Sequence, residues 1–188
     1  MPFELIGNIN IRLAKIMESD LDPVQRVFDS AHKYHTEIIS TPSTGAASLC
    51  FNRQAPRGSA ARVFKYFLVI IDNSNEKYIG VIDMYVSHPA YNIATIPCFI
   101  IDEKIQRKGF GSQALNLLSS FLKSKHPAVQ YLYAAATDNN IPANRFLKKS
   151  GFRQTAVWEK IHTQKRDLTA VRWALDLKNP PEEIKNTD

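Results

Sequence analysis

Apolar and polar residues alternate from Ile9 to Leu13, and the rhythm then changes to threes and fours through Val24, Val27, Phe28, Ala31 and Ile38. The first pattern predicts a half-buried strand and the second an amphipathic helix. Asp22 reads as the N-cap of that helix, with Pro23 at its first position, where a missing amide is harmless. From Ser40 to Ser59 the periodicity lapses among Pro42, Gly45, Pro56 and Gly58, which predicts a long irregular loop. Three β-branched and aromatic runs follow, Phe64 to Ile71, Tyr78 to Val86 and Ile93 to Ile101, separated by the turns Asp72-Asn73-Ser74-Asn75 and Ser87-His88-Pro89. They predict an antiparallel meander.

Helical spacing returns from Gly111 to Ser124, burying Ala114, Leu115, Leu118, Phe121 and Leu122. An apolar strand Tyr131 to Ala136 comes next, then a short helix Pro142 to Lys149 that Gly151 closes in the left-handed conformation. Two strands, Phe152 to Ile161 and Thr169 to Leu177, complete the order. The pattern gives seven strands and three helices, an α+β arrangement with no internal repeat. One domain over residues 1–178 is expected, with a frayed tail at 179–188.

A chain of 188 residues has room for one well-buried core, and 44% hydrophobic with 22% charged residues is the balance of a soluble protein. The net charge of +6 is unevenly placed. Residues 1–100 carry nine cations and nine anions, so the whole surplus falls on residues 101–188, where an anionic ligand is expected. Cys50 and Cys98 lack the paired spacing of a zinc site, which favours free thiols in a reducing, cytoplasmic setting. No basic leader precedes an apolar stretch, and no run approaches the ~20 apolar residues of a membrane span. His32 and His35 are three apart on a helix without a further ligand set, so no metal is expected.

The chemistry concentrates in Gln106-Arg107-Lys108-Gly109-Phe110-Gly111-Ser112, between a strand and a helix. The first amides of a helix have no internal partner and its dipole favours negative charge there, so glycines at that point make an anion cradle. Arg107 and Lys108 add charge at its rim. A P-loop requires Gly-Lys-Ser or Gly-Lys-Thr, which is absent. Gly109-x-Gly111-x-x-Ala114 fits the dinucleotide fingerprint, but antiparallel strands precede it where βαβ units belong. By itself the turn also reads as a plain tight turn.

Gln106, Gly109 and Gly111 resemble the coenzyme A signature of the GCN5-related N-acetyltransferase (GNAT) superfamily. A second segment, Asn140, Ala143, Asn144, Phe146, Leu147, Lys149, Gly151 and Phe152, is similar to the family's asparagine followed by a helix closing on Gly-Phe. The pattern looks nearest to the branch of ribosomal-protein and other protein N-terminal acetyltransferases. The resemblance implies a twisted, mostly antiparallel mixed sheet of about seven strands flanked by helices, with acetyl-coenzyme A between two splayed parallel strands. It implies direct attack of a primary amine, from a protein N-terminus or a small molecule, in a ternary complex without a metal.

On that resemblance, Phe99 and Ile101 flank the pantetheine arm, Gln106 to Ser112 take the phosphates, and Asn140 and Asn144 complete the cofactor site. The amine must lose a proton, and Glu159, Asp83 and Glu103 are the candidate bases, Glu159 first. The family's usual tyrosine, seven residues after the asparagine, is Leu147 here, which leaves Tyr133 or Thr137 as the candidate hydroxyl. Asn140 is also read as an ordinary turn former, and Phe51, Tyr66, Tyr85, Tyr91 and Trp158 as cleft or core aromatics. A nonenzymatic coenzyme A or nucleotide sensor is the alternative, motivated by Leu147. Nucleic-acid binding is disfavoured because no basic and aromatic residues interleave. The monomer and the homodimer both remain open.

Overall fold

The computed structural model describes residues 3–54, 62–162 and 167–179. The tail expected at 179–188 lies outside them beyond Asn179. Eight strands form one sheet: β1 (Phe3–Gly7), β2 (Ile11–Lys15), β3 (Phe64–Asp72), β4 (Lys77–Val86), β5 (Ile93–Ile101), β6 (Tyr131–Thr137), β7 (Arg153–His162) and β8 (Asp167–Asp176). Their order is β1-β2-β3-β4-β5-β6-β8-β7, antiparallel throughout except for the parallel pair β5 and β6. The helices are α1 (Leu21–Ser30), α2 (Ala46–Asn52), α3 (Phe110–Lys125) and α4 (Ile141–Lys149).

The expected meander, the crossover helix and the closing hairpin are all present, and Gly151 closes α4 at φ 86°. Four expectations require correction. The sheet has eight strands, because Phe3–Gly7, whose alternation is short and interrupted by a register shift, pairs with β2. The second strand covers Ile11–Lys15 rather than Ile9 to Leu13. Helix α1 starts at Leu21, with Asp20 in the N-cap position, so Asp22 and Pro23 lie inside its first turn. The Asp20 carboxylate instead accepts from the Met17 amide at 2.8 Å and from the Tyr78 hydroxyl at 3.0 Å, outside α1. Finally, the loop expected from Ser40 to Ser59 contains α2, opened by Gly45 at φ 73° and seated by buried Ala47 and Cys50. Residues 55–59 of that loop lie outside the described residues.

The strands divide apolar side chains between two faces. One face buries Leu13, Leu68, Ile82, Met84, Ala94, Leu132 and Trp173 beneath α3 and α4. Leu118 and Leu122 of α3 are fully buried there, each contributing about 1.5–3 kcal/mol of apolar burial. The other face packs Val69, Ile71, Val81 and Ile100 against Val24, Val27 and Phe28 of α1 and Ala47 and Cys50 of α2. Strand β4 is covered on both sides, which explains its unbroken run of buried residues from Ile79 to Val86.

Candidate active site

Strands β5 and β6 pair only from Ile93 to Ile96 and from Tyr131 to Ala134. Beyond that point β5 runs on to Ile101 and β6 to Thr137 without a shared ladder, so the sheet opens between them. On the β4 side, Asp83 pairs with Cys98 and Tyr85 with Thr95, leaving Met84 opposite both Ile96 and Pro97. The extra residue is a β-bulge, a position at which proline is tolerated, and it bends β5 away from β6.

One side of this opening leads to the Gln106–Ser112 turn. Gln106 Nε2 donates to the Ile101 carbonyl at 2.9 Å, and Asp102 accepts from the Lys104 amide at 2.9 Å, fixing the approach. Arg107 stands at φ 64° and Gly109 at φ 82°, the left-handed region that glycine enters without strain. Gly109 is the N-cap of α3 and no side chain caps the helix, so the amides of Phe110, Gly111 and Ser112 point outward unpaid by any acceptor of that kind. Gly111 acts differently: a Cβ there would stand 3.4 Å from the Phe146 ring and 3.7 Å from Ile101. Those are ordinary van der Waals contacts, so packing of α3 against α4 does not itself demand glycine at this position. Phe99 and Phe146 meet with ring centroids 5.6 Å apart on the same face.

On the other face a cleft of about 350 Å³ is lined by Tyr34, Thr95, Pro97, Tyr133, Thr137, Asn140, Glu159, Arg172 and His88, among others. Register explains this gathering, because directly paired residues share a face. Thr95 pairs with Tyr133, Ala135 with Arg172, Thr137 with Ala170, and Ala170 with Glu159. Arg172 binds Glu159 through both Nε, at 3.0 Å, and Nη2, and both bonds fall on Oε1. The same guanidinium lies over the Tyr133 ring, 5.5 Å from its centroid. The Thr137 hydroxyl is buried and has no hydrogen-bond partner among the described residues. Burial first, and the nearby Arg172 second, lower the pKa of His88, which favours the neutral imidazole. The segment Tyr34–Ile38 forms a π-helical turn that supplies the Tyr34 wall, a conformation frequent at functional sites.

The candidate residues therefore separate. Phe99, Ile101, Gln106, Arg107, Lys108, Gly109, Phe110, Gly111 and Ser112 lie along the opening and the turn, while Glu159 and Asn140 line the cleft. Asn140 caps α4, accepting from the Ala143 amide at 3.2 Å. Asn144 donates to the carbonyls of Thr137 at 2.9 Å and Asn140 at 3.0 Å, and accepts from Trp173 Nε1 at 3.1 Å. Its amide thus braces the end of β6. Asp83 is fully buried on the α1 and α2 face, with Arg53 Nη1 3.7 Å away, and burial raises its pKa against the pull of Lys65 and Arg53. Glu103 is engaged elsewhere, accepting from the Lys33 amide at 2.8 Å. Leu147 is in the main core rather than in the cleft. His35 is buried with Nδ1 on the Thr41 carbonyl at 3.1 Å. Of the aromatics, Tyr85 is buried, while Tyr91 and Trp158 are exposed. Sequence reasoning missed Arg172 and Tyr34, most of whose neighbours in the cleft are distant in the chain, and His88, which stands in the turn just before β5.

The family resemblance of the sequence implies acetyl-coenzyme A, whose pyrophosphate suits uncapped helix amides beside two cations. Its slender pantetheine arm fits the gap between unpaired strands. A family model described as the acetyltransferase (GNAT) family matches residues 27–152. The search of curated proteins returned no match. Among solved structures, a GCN5-related N-acetyltransferase from Brucella melitensis is similar, with a TM-score of 0.73, 16% identity, and coverage of 93% of this chain and 79% of that one. An acetyltransferase from Salmonella typhimurium that modifies the N-terminal serine of 50S ribosomal protein L7/L12 has a TM-score of 0.71 at 14% identity, covering 92% and 98%. A GNAT-family acetyltransferase from Bacillus anthracis has a TM-score of 0.70 at 14% identity, also covering 92% and 98%. At these identities the structures establish shared fold, and the family model, spanning more than half of the chain, establishes that this protein belongs to the acetyltransferase (GNAT) family.

Proposed function

We propose that the protein transfers the acetyl group of acetyl-coenzyme A directly to a primary amine, with cofactor and acceptor entering from opposite faces of the sheet. The observation that carries the reading is the opening between β5 and β6, which joins the uncapped N-terminus of α3 to the cleft holding Glu159 and Thr137. Residues 1–178 act as one catalytic domain in this reading, in a reducing cytoplasm where Cys50 and Cys98 are thiols.

When bound, the cofactor supplies an acetyl carbon activated as a thioester. The amides of Phe110, Gly111 and Ser112 hold its phosphates, with Arg107 and Lys108 adding charge, while Phe99 and Ile101 border the arm. In the cleft, Arg172 holds Glu159 by Oε1, leaving Oε2 to take the proton of the incoming ammonium directly or through one water. The unpartnered Thr137 hydroxyl is positioned to donate to charge that develops at the reacting centre. Asp83, on the same sheet face but beneath α2, is the second candidate base. Asn140 orders the end of β6, and its remaining amide hydrogens are suited to a bridging water.

An N-terminal peptide is the acceptor class favoured by the similarity to the ribosomal-protein enzyme, and a small amine is the other. Incubation with acetyl-coenzyme A and a panel of N-terminal peptides and small amines, followed by thiol release, tests the proposal. Saturable release that depends on one acceptor class is the expected result. Cofactor binding without amine-dependent release across the panel would favour the nonenzymatic sensor, and failure to bind the cofactor would overturn the proposal.

A further inference from the structure

A groove of about 400 Å³ lies on the other face of the sheet from the cleft, between α4 and the strands β7 and β8. Strand alternation separates the two. On β7, Glu159 lines the cleft and Trp158 the groove; on β8, Arg172 lines the cleft while Val171 and Trp173 floor the groove. Helix α4 forms the remaining wall through Ile141, Arg145 and Lys148, spaced at i, i+4 and i+7 and so on one face. Phe146 belongs to the neighbouring face, where it meets Phe99 and stands beside Gly111 along the cofactor opening. The groove therefore opens away from both the cofactor turn and the acceptor cleft.

Local features hold the groove in shape. From Gln154 to Trp158 β7 advances four residues while β8 advances two, from Trp173 to Val171, so β7 is bulged there. Thr155 secures the bulge: its hydroxyl donates to the Arg172 carbonyl at 3.0 Å and accepts from the Val157 amide at 3.2 Å. On the floor, Trp173 donates its indole N–H to Asn144 at 3.1 Å, so its ring presents apolar surface with the polar atom already satisfied. At the rim, Trp158 is 56% and Ile141 51% exposed, a large apolar pair that packing within the chain does not cover. The charges are uneven as well. Arg145 and Lys148 are exposed and form no ion pair among the described residues. Asp138, the acid of the groove, has its Oδ1 engaged by the Asn139 amide at 2.8 Å.

We propose that this groove is a docking site for an extended acidic segment of a partner protein, with a bulky apolar side chain seated against Trp158 and Ile141 and carboxylates beside Arg145 and Lys148. Charge and length carry the choice. Two unpaired cations against one engaged acid favour an anionic occupant. Ile141 and Lys148 are seven positions apart on α4, about 10 Å of helix rise, which about three extended residues span. Tryptophan and arginine are the side chains from which protein interfaces draw much of their affinity. A nucleic acid suits the groove less well, since its phosphates would cover none of the apolar floor and would meet Asp138. Docking here takes no part in the transfer reaction and stands independently of the acetyltransferase reading.

Both tryptophans of the chain line the groove, so intrinsic fluorescence reports on it directly. The probes are short peptides with one Leu or Phe flanked by Glu, acetylated at the N-terminus so that none can act as an acetyl acceptor, and the same peptides with Lys in place of Glu. The acidic set should shift the tryptophan emission saturably and bind at least about tenfold more tightly than the basic set. Its affinity should fall as NaCl is raised from about 50 to about 300 mM. The double variant Arg145→Glu, Lys148→Glu should weaken acidic-peptide binding at least about tenfold, and Arg145→Gln should weaken it less, in the same direction. Trp158→Ala, at an exposed position, should melt as the wild type does and lose at least about tenfold in affinity by calorimetry. No saturable shift with any acidic peptide at about 1 mM, equal binding of the two sets, or undiminished binding in these variants would overturn the proposal. So would tighter binding of a short oligothymidylate, which would make the groove a nucleic-acid site. A concentration-dependent dimer that Trp158→Ala abolishes would overturn it too, by making the occupant a second copy of the chain.

Discussion

The two sides of the opening between β5 and β6 are built in different ways. On the α3 side the site is made from backbone: three helix amides without a side-chain cap, a glycine at φ 82°, and strand edges without a ladder. On the α1 and α2 side it is made from side chains that seven separate segments bring together: the π-helical turn and the residue that follows it, the turn before β5, β5, β6, the Asn140 cap of α4, β7 and β8. A backbone site tolerates change in most side chains and is sensitive to conformation. A side-chain site has the reverse sensitivity, so the two halves should fail separately and in different measurable quantities.

The largest expected effect lies on the side-chain half. Glu159→Gln removes the proposed base and should lower kcat about 100-fold while leaving acetyl-coenzyme A affinity intact, measured by steady-state kinetics alongside calorimetry. Because the ion pair with Arg172 is partly exposed, the stability cost should remain below about 1 kcal/mol. On the backbone half, Gly109→Val forces a β-branched residue to φ 82°, at a cost of about 1–3 kcal/mol. Its cofactor affinity should fall at least about tenfold, the equivalent of 1.4 kcal/mol. Equal losses of affinity in both variants would dissolve the distinction.

Smaller effects sharpen it. Thr137→Val keeps the shape of a buried side chain and removes a hydroxyl without a partner, so thermal stability should hold or rise slightly. The rate of transfer should nonetheless fall about tenfold if that hydroxyl meets the reacting centre. The smallest effect concerns Asp83, whose buried carboxyl has a folded-state pKa above its ordinary value of 3.8. The folded state therefore holds the proton more tightly than the unfolded state, and stability declines as pH rises from that ordinary value through the raised one. Asp83→Asn should remove this decline, raising Tm at pH 7 relative to wild type. A lower Tm at pH 7 would mean that attraction to Lys65 and Arg53 outweighs burial.

The same contrast explains what the amino-acid sequence made legible. The turn at Gln106–Ser112 is contiguous, and its chemistry follows from glycine, a helix start and adjacent cations, so its place could be read directly. The meander and α3 were legible because β-branched runs and a 3.6-residue period are strong local signals. Helix α2 was hidden because seven residues between glycine and proline cannot show a period, and Phe3–Gly7 because its pairing is short and irregular. Arg172 and His88 carried no local mark at all. Arg172 enters through the register of β6 with β8, a long-range fact that no window of sequence contains, whereas His88 arrives on the turn beside β5, where it reads simply as a turn residue. Leu147 was conspicuous against the family pattern, yet it is a core residue, and the hydroxyl-bearing residues that line the cleft are Tyr34, Thr95, Tyr133 and Thr137.

Isothermal titration of acetyl-coenzyme A into the wild-type protein, Gly109→Val and Glu159→Gln tests the division between the halves most directly. Saturable binding to wild type, undiminished in Glu159→Gln and weakened at least about tenfold in a folded Gly109→Val, is the result that a cofactor site made from the α3 backbone predicts. Binding that survives Gly109→Val unchanged, or that is lost in Glu159→Gln, would contradict it.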